Sequence, residues 1–140
     1  MKTSSAKAKG RKLQQYVRDR LRSIGQSFGL VDDDIESRGM GQNGSDIILT
    51  PAARDVFTPA PHVECKNQEA LNVSATFYAQ DERYPDQVIW LVHKRNHKEP
   101  LITMRLTDFL CVYLVRSMIA VHNIGKTTNS SEDNTSSAGH

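Results

Sequence analysis

The chain has 140 residues, 38% of them hydrophobic and 24% charged, with a formal net charge of +2. That length suits one domain, and the apolar content suffices for one modest core. No apolar run approaches the roughly 20 residues needed to cross a bilayer. The basic start has no apolar segment behind it, so a secretory leader is not expected either.

The small net charge hides an asymmetry. Lys2, Lys7, Lys9, Arg11, Lys12, Arg18, Arg20 and Arg22 crowd the first 24 residues against the single acid Asp19. A second basic cluster, His93-Lys94-Arg95-Asn96-His97-Lys98, lies far along the chain. Such patches suit a polyanion, because each phosphate they neutralise releases counterions. A solvated helix face and a polar turn would carry the same charges. Cys65 and Cys111 stand outside any Cys-x-x-Cys pattern and are expected to be reduced, half-buried thiols of a cytoplasmic protein.

Residues 1–9 are expected to form a flexible basic arm, 10–124 the folded domain, and 125–140 a disordered polar tail rich in Ser, Thr and Asn. From Gly10, the spacing of Leu13, Val17, Leu21 and Ile24 predicts one apolar helical stripe, with Gly25 as its stop. The acidic stretch Val31–Glu36 leads into Arg38-Gly39-Met40-Gly41-Gln42-Asn43-Gly44-Ser45, too rich in glycine for a regular element and read as a turn. Asp46-Ile47-Ile48-Leu49 reads as a short buried strand closed by Thr50-Pro51, with a proline-rich loop running to Pro61. Val63-Glu64-Cys65-Lys66 reads as the next strand.

A helix is expected from about Asn72 to Glu82, ahead of Tyr84-Pro85. Val88–Val92 predicts a strand buried on both faces, pairing with Leu101–Arg105 across the basic turn. Thr107-Asp108 opens a last helix over Phe109–Val121, ended by Gly125. Its residues Leu110, Val112, Leu114, Val115, Met118 and Ile119 are apolar well around the helix, which suggests burial in the core or a partner surface. Trp90, Phe109 and Tyr113 are expected in the core. The order αβββαββα predicts an α/β fold with a central mixed five-stranded sheet flanked by helices.

The chemistry concentrates in two strands. Alternation along a strand sets Glu64 and Lys66 on one face and Val63 and Cys65 on the other. If the preceding strand is a neighbour, Asp46 brings a second carboxylate beside Glu64. Converging carboxylates repel unless a cation lies between them, and Mg²⁺, which takes hard oxygen ligands, suits the set, with the Cys65 carbonyl as a further donor. Lys66 would then orient water and neutralise charge building on a phosphate. A surface ion pair is the plainer reading of Glu-x-Lys alone. His93 and His97 bracket a turn rather than a helical stretch and lack a Cys or His pair to complete zinc coordination.

Gly44-Ser45-Asp46-Ile47-Ile48-Leu49 followed by Val63-Glu64-Cys65-Lys66-Asn67 resembles the core of PD-(D/E)xK nucleases, in particular the small Holliday-junction-resolvase-like members of phages and archaea. The resemblance runs from about Lys9 to Leu114 and includes the leading helix, the Arg38 turn and the helix after the Glu-Cys-Lys triplet. It implies a restriction-endonuclease-like core and a Mg²⁺- or Mn²⁺-dependent endodeoxyribonuclease acting on branched double-stranded DNA as a homodimer in the cytoplasm, that of the host if phage-encoded. Asp46 and Glu64 would bind metal, Lys66 would position water, and Gln80 would be the polar residue on the helix behind the motif. Lys9, Arg11, Lys12, Arg38, Ser45, Asn67, Lys94 and Arg95 are the candidate DNA contacts. Many resolvase-like members carry a glutamate on the first helix where this chain has Gln14, with Gln15 beside it. An amide brings no charge, so a DNA-binding module with weak or no catalysis is the alternative.

Overall fold

The computed structural model describes residues 3–39 and 41–136, with side chains for 5–39 and 41–125. The outer ends of the expected arm and tail, and Met40 of the glycine turn, lie outside the described residues. The chain divides into two units, Met1–Met104 and Arg105–His140.

Helix α1 spans Thr3–Gln26, so it begins well before Gly10. Leu13 and Leu21 are buried and Val17 packs against them, whereas Ile24 is exposed. Gly25 does not stop the helix. Its carbonyl accepts the Leu30 N–H at 3.0 Å, and Gln26 O accepts the Gly29 N–H at 3.1 Å, while Gly29 takes φ 81°. This pair of bonds around a left-handed residue closes the helix and satisfies its last carbonyls. Gly25 serves a different need: a Cβ there would stand 2.9 Å from Leu30 Cδ1, in the space where the chain folds back beneath the helix.

After a 3-10 turn at Asp32–Asp34, strand β1 (Ile35–Ser37) pairs antiparallel with β2 (Ile47–Leu49), Glu36 opposite Ile48. The segment expected to be loop holds a short helix, α2 (Pro51–Val56). Thr50 caps it, accepting the Ala53 N–H, and Pro51 fills the first turn, where a missing N–H costs nothing. The Thr50 hydroxyl also donates to Asp34 Oδ1 at 2.6 Å, tying α2 to the acidic turn.

Strand β3 (Pro61–Asn67) leads through α3 (Val73–Arg83), capped by Asn72 Oδ1 on the Ala75 N–H, into β4 (Val88–Lys94), parallel to β3. The helical crossover is what a parallel neighbour requires. β5 (Leu101–Thr103) returns antiparallel along β4, with Val92 opposite Ile102. β4 is central and serves two cores by alternation: Ile89 and Leu91 pack with Phe77 of α3, while Trp90 and Val92 join Val63, Cys65 and Leu13. Each such side chain, fully buried, contributes about 1.5–3 kcal/mol.

The α/β class holds, but one five-stranded sheet does not form. The strands make a two-stranded sheet, β1-β2, and a three-stranded one, β3-β4-β5. The break has a local cause at the edge of β3. Asp46 N–H donates to Val63 O at 2.7 Å, as a strand partner would. The Val63 N–H, however, goes to Ser45 Oγ at 2.9 Å, and the Cys65 N–H to Asp46 Oδ2 at 2.7 Å. Side-chain oxygens stand where backbone carbonyls would continue the ladder.

The second unit is helix α4, Leu106–Ser136, which passes through Gly125 without ending. Glycine inside a helix costs about 1 kcal/mol, which is not an obligatory stop. Phe109, Leu110, Val112, Tyr113, Leu114, Val115, Met118 and Ile119 are exposed, as is Cys111, so the expected burial of this segment is not found. Apolar residues at nearly every position define no inward stripe.

Replacing Ser45 by Ala strands the Val63 N–H and is expected to cost about 1–3 kcal/mol in urea denaturation. Ser45→Thr, which keeps the hydroxyl, should recover most of that loss.

Candidate active site

Asp46 is placed by the turn before it. Arg38 Nε donates to Ser45 O at 2.7 Å, and Arg38 N–H to Asp46 O at 2.8 Å, which closes the glycine-rich loop on itself. Gly44 sits at φ 113° with the Arg38 guanidinium 3.0 Å from where a Cβ would be, so both its backbone and its surroundings call for glycine. Ser45 and Asp46 then meet β3 side chain first. The Asp46 carboxylate is thereby fixed on the strand that carries Glu64 and Lys66.

Glu64 and Lys66 project from the β3 face opposite Val63 and Cys65, and Lys66 Nζ lies 3.1 Å from Glu64 Oε1. The Glu64 side chain is 15% exposed and that of Lys66 35%. This is a half-sheltered pair, not the loose surface contact that Glu-x-Lys makes by default. Burial is the main reason the Asp46 carboxyl is pushed up to about 6; the Cys65 N–H opposes the rise, and the Glu64 charge adds to it. Lys66 and a hydrogen bond from the Gln14 side chain pull the other way. Burial and the neighbouring acids also push the Cys65 thiol well up, so it is an inert core group and no nucleophile.

These groups open on one cleft of about 390 Å³, lined by Lys7, Gly10 and Gln14 of α1, Gly39, Gly41 and Gln42 of the turn, and Asp46 and Glu64 through Gln68. Gln14 is only 9% exposed and reaches Asp46, so the substituted position lies inside the site. Gln80 lies elsewhere. It lies near His62, which is buried two residues before Glu64 and stacked on Tyr84 at 3.9 Å between ring centres, and whose Nε2 has no hydrogen-bond partner among the described residues. Burial holds the His62 imidazole below its usual range. His62 was legible from the same alternation that pairs Glu64 with Lys66.

The expected DNA contacts separate into groups. Lys9, Lys12, Asn67 and Lys94 line a second, larger cleft. Arg38 and Ser45 are engaged in the loop and the strand edge, and Ser45 works as a structural oxygen. Arg11 is exposed on α1, and Arg95 borders a smaller hollow with His93 and Leu101. His93 is bonded to Thr103 Oγ1 at 3.0 Å, while His97 stands in the turn beyond.

Among the described residues no group of three or more His, Cys, Asp or Glu side chains is arranged to hold a metal. The donor set in the cleft is of another kind: two carboxylates, the Gln14 amide and the Cys65 carbonyl, which strand geometry turns to the same edge as the Cys65 N–H. Few protein oxygens beside open space fit Mg²⁺, which retains several waters. No helix among the described residues is long and apolar enough to cross a membrane. Comparison with known protein families, curated proteins and solved structures finds no match.

The raised Asp46 pKa has a sign for stability. In metal-free protein the contribution of this group is fully present below about 3.8 and is lost as pH rises through about 6. Asp46→Asn, which removes the buried charge but keeps an oxygen for the Cys65 N–H, should therefore gain in Tm relative to wild type between pH 4.5 and 7.5. Thermal denaturation in chelator measures it, and a constant difference across that range would contradict the buried-charge account.

Proposed function

We propose that the protein is a Mg²⁺- or Mn²⁺-dependent endodeoxyribonuclease with Asp46, Glu64 and Lys66 at its centre. The observation that carries this reading is the Asp46 Oδ2 bond to the Cys65 N–H, which fastens one carboxylate to the strand bearing the other and the lysine. Asp46, Glu64 and the Cys65 carbonyl would hold the cation. When bound, it would polarise the phosphate and acidify a water. Lys66 steadies Glu64 and presents an ammonium to charge developing on the phosphoryl oxygens. Gln14 orients Asp46 through its amide. Water attacks phosphorus in line, a new P–O bond forms, the P–O bond to the leaving sugar oxygen breaks, and that oxygen takes up a proton.

The succession of β1-β2 hairpin, β3, helical crossover and parallel β4 supports a restriction-endonuclease-like core, with β1-β2 and β3-β4-β5 read as two parts of one split five-stranded layer. Branched double-stranded DNA is the proposed substrate and a homodimer the proposed form, since a two-fold pair would set two centres on two strands. The exposed apolar residues of α4 are surface such a dimer could use. One observation favours a second reading: Gln14, buried against Asp46, supplies no charge, as suits a DNA-binding module with weak hydrolysis.

Cleavage of supercoiled, linear and four-way-junction DNA with and without Mg²⁺ or Mn²⁺ separates the two. Asp46→Asn and Lys66→Ala should each lower the cleavage rate by about 10²–10⁴-fold while retaining most DNA binding. Cleavage undiminished in both variants would refute the site, and binding without cleavage under every divalent ion would favour the binding module. For the active enzyme the rate should fall as Asp46 gains its proton, and more Mg²⁺ should move that fall to lower pH, because proton and cation compete for the same oxygens.

A further inference from the structure

The larger cleft, about 720 Å³, is separate from the carboxylate site but adjoins it. Helix α1 serves both. At 100° per residue, Lys7 and Gln14 lie on one flank of its buried stripe, while Lys9, Lys12 and Tyr16 lie on the other. Asn67, the last residue of β3, lines both clefts. From Glu64 to Asn67 the strand advances roughly 10 Å, at about 3.3 Å per residue, which is the reach of a nucleotide or two of extended chain.

The lining pairs apolar and cationic groups in a particular way. Leu13 forms a floor that is 2% exposed, and beside it Tyr16 stands 51% exposed, an aromatic side chain left half open. Lys9, Lys12, Lys94 and Lys98 surround them, against one carboxylate, Glu99. At the rim His97 holds φ 58°, a conformation that non-glycine residues adopt rarely. A volume of this size accommodates a small ligand. Stacked bases of a duplex offer no face to Tyr16, whereas an unpaired base does, with its phosphates within reach of lysines.

We propose that this cleft is a nucleotide subsite that takes one unpaired base of a DNA strand against Tyr16 and Leu13 while the lysines hold the flanking phosphates. The inference deepens the nuclease reading and rests on it for the polymeric substrate: a strand so held would run along β3 toward Glu64. It assigns the protein a preference for DNA with an unpaired nucleotide beside the cut.

The test is fluorescence anisotropy in chelator, so that no cleavage intervenes, with a labelled single-stranded oligodeoxynucleotide, its duplex, and a version with abasic sites in place of the bases. Wild type should bind the single strand roughly tenfold tighter than the abasic strand. Tyr16→Ala should abolish that difference while leaving abasic and duplex binding unchanged, and Tyr16→Phe should restore it. Since Tyr16 is half exposed, the alanine variant should fold, which circular dichroism checks. Equal binding of single-stranded and abasic DNA by wild type, or no effect of Tyr16→Ala, overturns the subsite and leaves a surface that reads charge alone. Displacement of the single strand by an acidic peptide as readily as by unlabelled single-stranded DNA would overturn it too. These measurements do not depend on catalysis, so an inactive protein that still distinguishes bases through Tyr16 would sink the nuclease and keep the subsite.

Discussion

Everything near the carboxylate cleft depends on how the open edge of β3 is closed. An edge strand presents N–H and C=O groups that must find partners. Here Ser45 Oγ and Asp46 Oδ2 accept from Val63 and Cys65, and the Asp46 N–H returns one bond to Val63. The arrangement costs the fold a continuous sheet. In return the Asp46 side chain has its position set by backbone geometry and not by rotamer preference, and the β2 strand departs at a point that leaves room for a cleft.

That same bond sets the electrostatics. Asp46 accepts from the Cys65 N–H and has the Gln14 side chain close by, but it is buried beside Glu64, and desolvation outweighs what both contribute. Glu64 in turn has Lys66 at 3.1 Å. Two carboxylates, Asp46 and Glu64, share this cleft with two lysines, Lys66 beside Glu64 and Lys7 on α1. Acids and bases thus meet in one cleft, with further lysines of α1 lining its neighbour.

The sequence was most legible where period and chemistry coincide. Strand alternation alone set Glu64 and Lys66 on one face, and the span of α3 followed from its start near Asn72 and its stop before Tyr84-Pro85. The capping role of Asn72 emerged only in the structure. The glycine turn before Asp46 was readable because only a tight loop carries so many glycines. The split sheet was not, since an accepting side chain cannot be told from an accepting carbonyl by residue type. In sequence Thr50-Pro51 reads as a terminator although the same pair opens a helix, and Ala52-Ala53 is the sign that favours the helix. Gly25 and Gly29 are equally plausible stops in sequence, and only backbone bonding distinguishes them. Gln80 faces His62 instead of the carboxylates because helical periodicity gives a face but no register against the strand. For α4, uniform apolarity left no period to read.

The sealed edge of β3 has a further meaning for how the chain behaves in a crowd. At the opposite edge of the same sheet, β5 has only three residues and follows Pro100, so it offers little to an incoming strand. The seven-residue β3 is the longer template, and two short polar side chains keep it from being one. Ser45 and Asp46 thus stand in the way of an incoming strand along β3, and the same two residues aim the carboxylate.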